Sequence, residues 1–363
     1  MEKEFNITGT CIPEMHYMVN ISDKLRRITE LIEKGKYLVI NRPRQYGKTT
    51  TLFLFGKQLK SSEHYIPIKI SFEGIGDLIF EDEKVFSKEF LQILADSLLL
   101  EYEILADFLQ QEKNNVETFK DLSKVITKFT KKANKKVVLM IDEVDKSSNN
   151  QLFLNFLGML RNKYLLRNEG TDYTFYSVIL AGVHDVKTLK MKISSDEAKR
   201  YNSPWNIADD FEIDMSFSVG EIKTMLDDYV DNKKVELDKI YFSERLHYYT
   251  SGYPFLVSKL CKIIDEKIML QNQLIWKEEY IDMAVKRLIN ESNTNLDSLI
   301  KNIENNISLY KIIYNLLIKG AKIDFNIHNP DIALGSLYGI FRNEFGKLKL
   351  HNRIYEQLIY NYM

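Results

Sequence analysis

Cysteine is nearly absent from this chain of 363 residues, with two in all. Cys11 and Cys261 stand far apart and show no metal-ligand spacing, so neither a disulfide framework nor a zinc site is expected, and both read as reduced thiols. Proline (6) and glycine (15) are also scarce, which argues against a turn-rich β-sandwich and for helices joined by short loops. No charge of one sign dominates. The formal net charge of −1 gives no global electrostatic reason to expect nucleic acid or an acidic membrane as partner. No uninterrupted apolar run approaches the length needed to span a bilayer. The start "MEKEFNITGTCIPEMHYMVN" lacks the basic and apolar regions of a signal peptide, so a cytoplasmic location is expected. What remains is an ordinary globular composition, 45% hydrophobic and 28% charged, long enough for two or three domains.

Periodicity places the elements. Residues 21–35, "ISDKLRRITELIEKG", carry Ile21, Leu25, Ile28, Leu31 and Ile32 at spacings of three and four, which predicts an amphipathic helix stopped by Gly35. "KYLVIN" (36–41) reads as a short buried strand, and a helix is predicted from Lys48 through "KTTTLFLFGKQLK". A second strand follows at 65–72 and a third at 135–145, "KKVVLMIDEVD", continuously apolar as in a parallel sheet covered on both faces. Residues 84–133 are helical in pattern, "NQLFLNFLGMLRNKYLLR" is a helix, and 173–183 is a fourth strand. Strands alternating with helices predict an open α/β sheet. Beyond "SPWNIADDFEIDMSFS" the pattern turns helical through 218–290, and the tail "FGKLKLHNRIYEQLIYNYM" has a short strand before a last helix.

Between the first strand and its helix stands "NRPRQYGKTT", Asn41 to Thr50. A phosphate-binding P-loop needs backbone N–H groups around an anion, a lysine for the β- and γ-phosphates, and a hydroxyl for Mg²⁺. Gly47, Lys48 and Thr49 supply these, followed by Thr50, and the helix starting there points its positive dipole end at the anion. Arg42 stands where the general pattern has its first glycine. Pro43 biases Arg42 toward extended backbone, so Arg42, Pro43, Arg44, Gln45 and Tyr46 must enclose the anion by another path. The acidic complement is "VVLMIDEVD". Asp142 is the candidate for holding Mg²⁺ through its water shell, and Glu143 for orienting or deprotonating the attacking water. A strand end followed by a solvated acidic turn is the plain alternative, and the two motifs together favour nucleotide chemistry, with hydrolysis a further step.

The segments "GTCIPEMHYMV", "NRPRQYGKTT", "ISFEG", "IDEVDK", "SPWNIADDF" and "GYPFLVSKLC" resemble the bacterial AAA-like P-loop ATPases, whose loop reads R-P-R-[QR]-[YF]-G-K-[ST]. These are similar to the signalling ATPases with numerous domains (STAND) and to the archaeal and replication-initiator AAA+ ATPases. The resemblance implies that Arg42 belongs to the family's own loop. It also implies a P-loop ATPase domain over 1–215, a helical lid over 216–291 and a winged-helix-like domain over 292–363. ATP or ADP and Mg²⁺ are the implied ligands, and ATP hydrolysis the implied reaction.

Further residues follow from the resemblance. His16 or Tyr17 lies where relatives pack a chain segment on the adenine, although an aromatic there also suits a core. The turn Gly252–Tyr253–Pro254 lies in the lid, where such a turn approaches the nucleotide, unless it is a plain helix–helix turn. His184, beside Asp185, stands at the end of the fourth strand, where a sensor of the γ-phosphate is expected. Arg161, Arg167 and Arg200 are candidate arginine fingers, or solvated surface residues. His351, in "LKLHNRIYEQ", resembles the histidine through which winged-helix tails of related switch ATPases touch bound ADP, with Leu-His-Asn here in place of Met-His-Asp.

Three functions follow from these readings. The first is a regulatory ATPase in signalling or defence, with self-association or a protein partner. The second is a winged-helix DNA-binding ATPase, which the balanced charges around Arg342, Lys347, Lys349 and Arg353 do not support. The third is an ATPase partner of a separately encoded nuclease, since the chain shows no P-D…(D/E)-x-K run of its own.

Overall fold

The computed structural model describes residues 2–74, 76–144, 151–183, 209–210, 214–269 and 274–363. They form two compact units. One comprises Asp23–Asn41 and Thr51–Ile213, the other Met1–Ser22, Arg42–Thr50 and Asp214–Met363.

The first unit is the α/β sheet that the alternation of patterns predicts. Helix α1 (Ser22–Glu33) buries Ile28 and Ile32. Gly35, at φ +66°, ends it with N–H bonds from Gly35 and Lys36 back to the carbonyls of Ile32 and Leu31, the left-handed stop that glycine adopts without steric cost. Strand β1 (Leu38–Asn41) follows, then helix α2 (Lys48–Lys60) and strand β2 (Tyr65–Ser71). Helices α3 (Glu83–Leu98), α4 (Glu103–Lys113) and α5 (Phe119–Ala133) lead to β3 (Lys136–Asp142), and α6 (Gln151–Asn168) to β4 (Ser177–Gly182). Asp82 caps α3 and Thr118 caps α5, each accepting a backbone N–H of the first turn, as short oxygen side chains do at helix starts.

The strand order is β2-β3-β4-β1-β5, with β5 (Asp209–Asp210) a two-residue addition beside β1. Every pairing is parallel. The sequence pattern contains the four longer strands and not the fifth, because two residues carry no periodicity. β1 and β3 flank β4, so Asn41 and Asp142 end their strands at the same edge of the sheet, about 10 Å apart if two strand spacings separate them. Open parallel sheets bind ligands at that carboxyl edge. Phe72, Phe86, Phe90, Phe153 and Phe156 anchor the core on this unit's helices, with Phe156 within 5.0 Å of Phe86 and 4.9 Å of Phe90, centroid to centroid. Each such ring contributes roughly 1.5–3 kcal/mol by leaving water.

In the second unit, α7 (Val219–Lys233), α8 (Lys239–Thr250), α9 (Pro254–Ile263) and α10 (Glu279–Asn290) form the helical stretch. A reciprocal capping box of Ser218 and Glu221 starts α7. Phe5, Tyr17, Tyr229 and Trp276 pack ring against ring and tie the N-terminal segment to α7. The C-terminal part runs α11 (Thr294–Glu304), α12 (Ile307–Leu317), α13 (Pro330–Leu337), the hairpin β6 (Phe341–Glu344) and β7 (Lys347–Leu350), and α14 (Arg353–Tyr362). Phe345 and Gly346, at φ +50° and +81°, make the two-residue turn whose twist suits such a hairpin. Among the described residues no helix is long and apolar enough to cross a membrane.

Candidate functional site

The phosphate loop starts where β1 ends and closes where α2 begins at Lys48, the helix start that the sequence predicts. Two residues turn it. Gln45 has φ +59° and Gly47 φ +74°. The left-handed turn is therefore made at Gln45, three residues after the position where the general pattern has its first glycine. A non-glycine residue held there stores strain, of order 1–3 kcal/mol, as loops at functional sites commonly do. At Gly47 no atom of the described residues lies within 4 Å of where a Cβ would sit. The Lys48 ammonium spans the loop, donating to the carbonyls of Arg42 at 2.9 Å and Pro43 at 3.0 Å. Burial works against the Arg42 charge, and Asp214 opposes that effect. Thr50 Oγ1 accepts the N–H of Cys11 at 3.0 Å, which brings the N-terminal segment to the start of α2.

The same loop is gripped by residues of 214–363. The Tyr253 hydroxyl donates to the carbonyl of Arg44 at 2.6 Å, and Gln45 Oε1 accepts from Asn295 Nδ2 at 2.5 Å. Pro43 lies against Gly339, where an added Cβ would come within 3.1 Å of it. Tyr46 is 5% exposed. Its ring lies 4.7 Å from that of Tyr253, and its hydroxyl meets His351 Nε2 and, at 3.4 Å, Ser216 Oγ.

Bonding partners settle the His351 tautomer. Asn352 caps α14 by accepting the N–H of Tyr355 through Oδ1, so its Nδ2 faces and donates to His351 Nδ1 at 3.3 Å. The proton of the neutral imidazole is then on Nε2 and points at the Tyr46 oxygen, leaving the phenol to donate toward Ser216. Burial, assisted by Arg342 and opposed by Asp214, pushes His351 down to about 4, so it is neutral at physiological pH. Burial likewise raises the Tyr46 phenol, and takes that of Tyr253 up to about 12.

The acidic residues belong to the other unit. Asp142 is 2% exposed at the end of β3. Its Oδ1 accepts the N–H of Glu143 at 3.1 Å, and its Oδ2 lies 3.8 Å from Lys69 Nζ. Glu143, next along the chain, has left-handed backbone at φ +55°.

The other expected residues fall in varied places. Tyr17 is buried between Phe5 and Tyr229 with its hydroxyl on Asn232, so it has no open face to offer a base. His16 closes a local turn by accepting the N–H of Ile12. Pro254 is buried at the first turn of α9, beside Gly252, whose φ of +72° and approach to Phe217 leave no room for a side chain. The Arg167 guanidinium is taken up by the carbonyls of Gly35, Phe175 and Tyr176. His184, Asp185 and Arg200 lie outside the described residues. Lys69, Ser216, Asn295 and Tyr355 carry no sequence signal of their own and emerge only from their positions.

A family profile described as the AAA-like domain matches residues 14–358. The chain belongs to the AAA-like domain family. Among curated protein sequences none matches it. Among solved structures, this AAA-like chain is similar to a Walker-type ATPase of Pyrococcus abyssi, at 11% identity and a TM-score of 0.59, over 98% of this chain and 99% of the other. It is also similar to the ORC2 protein of Aeropyrum pernix, solved with ADPNP and ADP, at 11% identity and a TM-score of 0.51, over 99% and 98% of the two chains. At such identities the likeness concerns the fold. The described residues have the parallel α/β sheet and the many helices of that fold.

Proposed function

We propose that this AAA-like chain binds Mg·ATP and hydrolyses it. The observation that carries the reading is the loop itself: a left-handed glycine at Gly47, a lysine spanning the loop, and a helix starting at that lysine. In this reading the N–H groups from Gly47 to Thr49 face the β-phosphate, and Lys48 exchanges its carbonyl partners for phosphate oxygens. Arg42 and Arg44 add positive charge, and Pro43, Gln45, Tyr46 and Thr50 frame the turn. Glu143 takes the role of general base, orienting or deprotonating the water that attacks the γ-phosphorus. The oxygens of Thr49 and Asp142 are hard donors that fit Mg²⁺, and a buried carboxylate at a strand end is a suitable anchor. When bound, the metal would neutralise charge on the phosphate oxygens. Titration of a fluorescent ATP analogue into wild type and Lys48→Ala tests the binding step. Equal affinity for the two proteins sinks the assignment.

The finer reading is a nucleotide-driven switch. It is supported by the grip on the loop: Tyr253, Asn295, Gly339 and His351 all come from 214–363 and all touch residues 43–46. In this reading a change at the phosphates that moves Gln45 or Tyr46 alters how tightly those residues hold, and a partner or second copy of the chain reads the outcome. We read His351 as acting through Tyr46. The segment from α12 to α14, two helices, a hairpin and a helix, suits a winged-helix-like domain over 292–363, with 216–291 as the lid and 1–215 as the ATPase domain. We place the switch in signalling or defence, on the strength of the resemblance alone.

A further inference from the structure

Strand β2 reads Tyr-Ile-Pro-Ile-Lys-Ile-Ser, and Lys69 is its one charged residue. Among the described residues the strand is at the edge of the sheet and pairs only with β3. In that register Lys69 lies beside Met140 and Ser71 beside Asp142. Side chains alternate along a strand, so Lys69, Ser71 and Asp142 share one face. The lysine stem runs forward along that face, and the ammonium reaches Asp142 Oδ2 at 3.8 Å. Lys69 is 30% and Asp142 3% exposed by side chain. A carboxylate so deeply buried needs a compensating charge, and the lysine pairs with it at ion-pair distance without being in hydrogen-bond contact.

We propose that Lys69 is a positioning residue that serves as an internal counter-cation for Asp142 and yields that carboxylate to the divalent metal. The proposal rests on the ATPase reading above. The lysine holds the buried acid in place while no metal is bound, and the arriving cation must work against a positive charge already there. Metal affinity is thereby set below what the donor oxygens alone would give. A purely structural ion pair has the opposite signature, because its loss would misplace Asp142 and weaken metal binding.

The test titrates Mn²⁺ into the ADP-loaded full chain and reads free Mn²⁺ by electron paramagnetic resonance, for wild type, Lys69→Met and Lys69→Arg. Lys69→Met is expected to bind Mn²⁺ about tenfold more tightly, the least effect a neighbouring unit charge has on a carboxylate's affinity for a cation. It is also expected to melt at a lower temperature when metal-free. Lys69→Arg keeps the charge and is expected to bind as wild type does, which guards against a fold defect in the methionine variant. Unchanged or weaker Mn²⁺ binding in Lys69→Met overturns the counter-cation role and leaves the ATPase reading standing. Failure of wild type to bind Mn²⁺, or equal binding by Asp142→Asn, overturns the metal site and this proposal with it.

Discussion

Replacing His351 with alanine tests the hold on the phosphate loop. The substitution removes the imidazole that meets the Tyr46 hydroxyl and leaves Ser216, at 3.4 Å, as the nearest polar partner of that hydroxyl. Tyr46 is buried, so water cannot readily replace the lost bond. A buried polar group left with poor pairing costs about 1–3 kcal/mol. If that energy holds the loop in its nucleotide-retaining form, its loss accelerates release of bound ADP by about 5- to 150-fold. Stopped-flow release of a fluorescent ADP reads the rate directly. Truncation also opens a cavity and lowers stability, so Ile359→Val is the control. Ile359 is fully buried in α14, the helix that follows His351, and its truncation costs about 0.5–1.5 kcal/mol. The account expects fast release in His351→Ala and ordinary release in Ile359→Val. If both variants lost stability and neither changed the release rate, the contact would be packing alone and the reasoning refuted.

Two further outcomes are expected. His351 is held at about 4 against the ordinary histidine value of 6.5, so between those values the unfolded chain binds a proton that the folded chain refuses. Stability is therefore complete above pH 6.5 and falls as pH drops toward 4, by on the order of 3 kcal/mol. Denaturant melts across that window should show a flatter slope for His351→Leu than for wild type. Gly252→Ala places a Cβ 2.1 Å from the Phe217 carbonyl oxygen at φ +72°, which the backbone cannot absorb. A loss of about 2 kcal/mol or more in unfolding free energy is expected, and a neutral result would contradict the turn geometry.

Much of the sheet is legible in the sequence because its central strands are continuously apolar and its loop ends in Gly-Lys-Thr before a helix. Lys48 begins α2 where periodicity places it, while β3 stops at Asp142, three residues short of the 135–145 that the apolar pattern suggests. Non-local pairing leaves no comparable trace. Nothing in the local pattern tells that β4 inserts between β3 and β1, or that the loop 42–50 groups with residues 214–363. Tyr46 and Tyr253 read equally well as core or as site, since a phenol suits both until its hydroxyl partner is known. The G-Y-P turn draws notice for its glycine and proline, yet the tyrosine between them is what reaches the loop. Lys69 stands in an alternating strand, where a charge ordinarily marks the solvent face. Only the register beside β3 reveals the buried aspartate at the end of its stem.

The central claim is that this chain hydrolyses ATP. The most direct measurement incubates wild type and Glu143→Gln with Mg²⁺ and γ-labelled ATP, removes free nucleotide, and follows both the bound label and released phosphate. The account predicts phosphate release by wild type, and stable retention of uncleaved ATP by Glu143→Gln. A wild type that neither retains nor cleaves ATP, or a Glu143→Gln variant that cleaves it at the same rate, would contradict it.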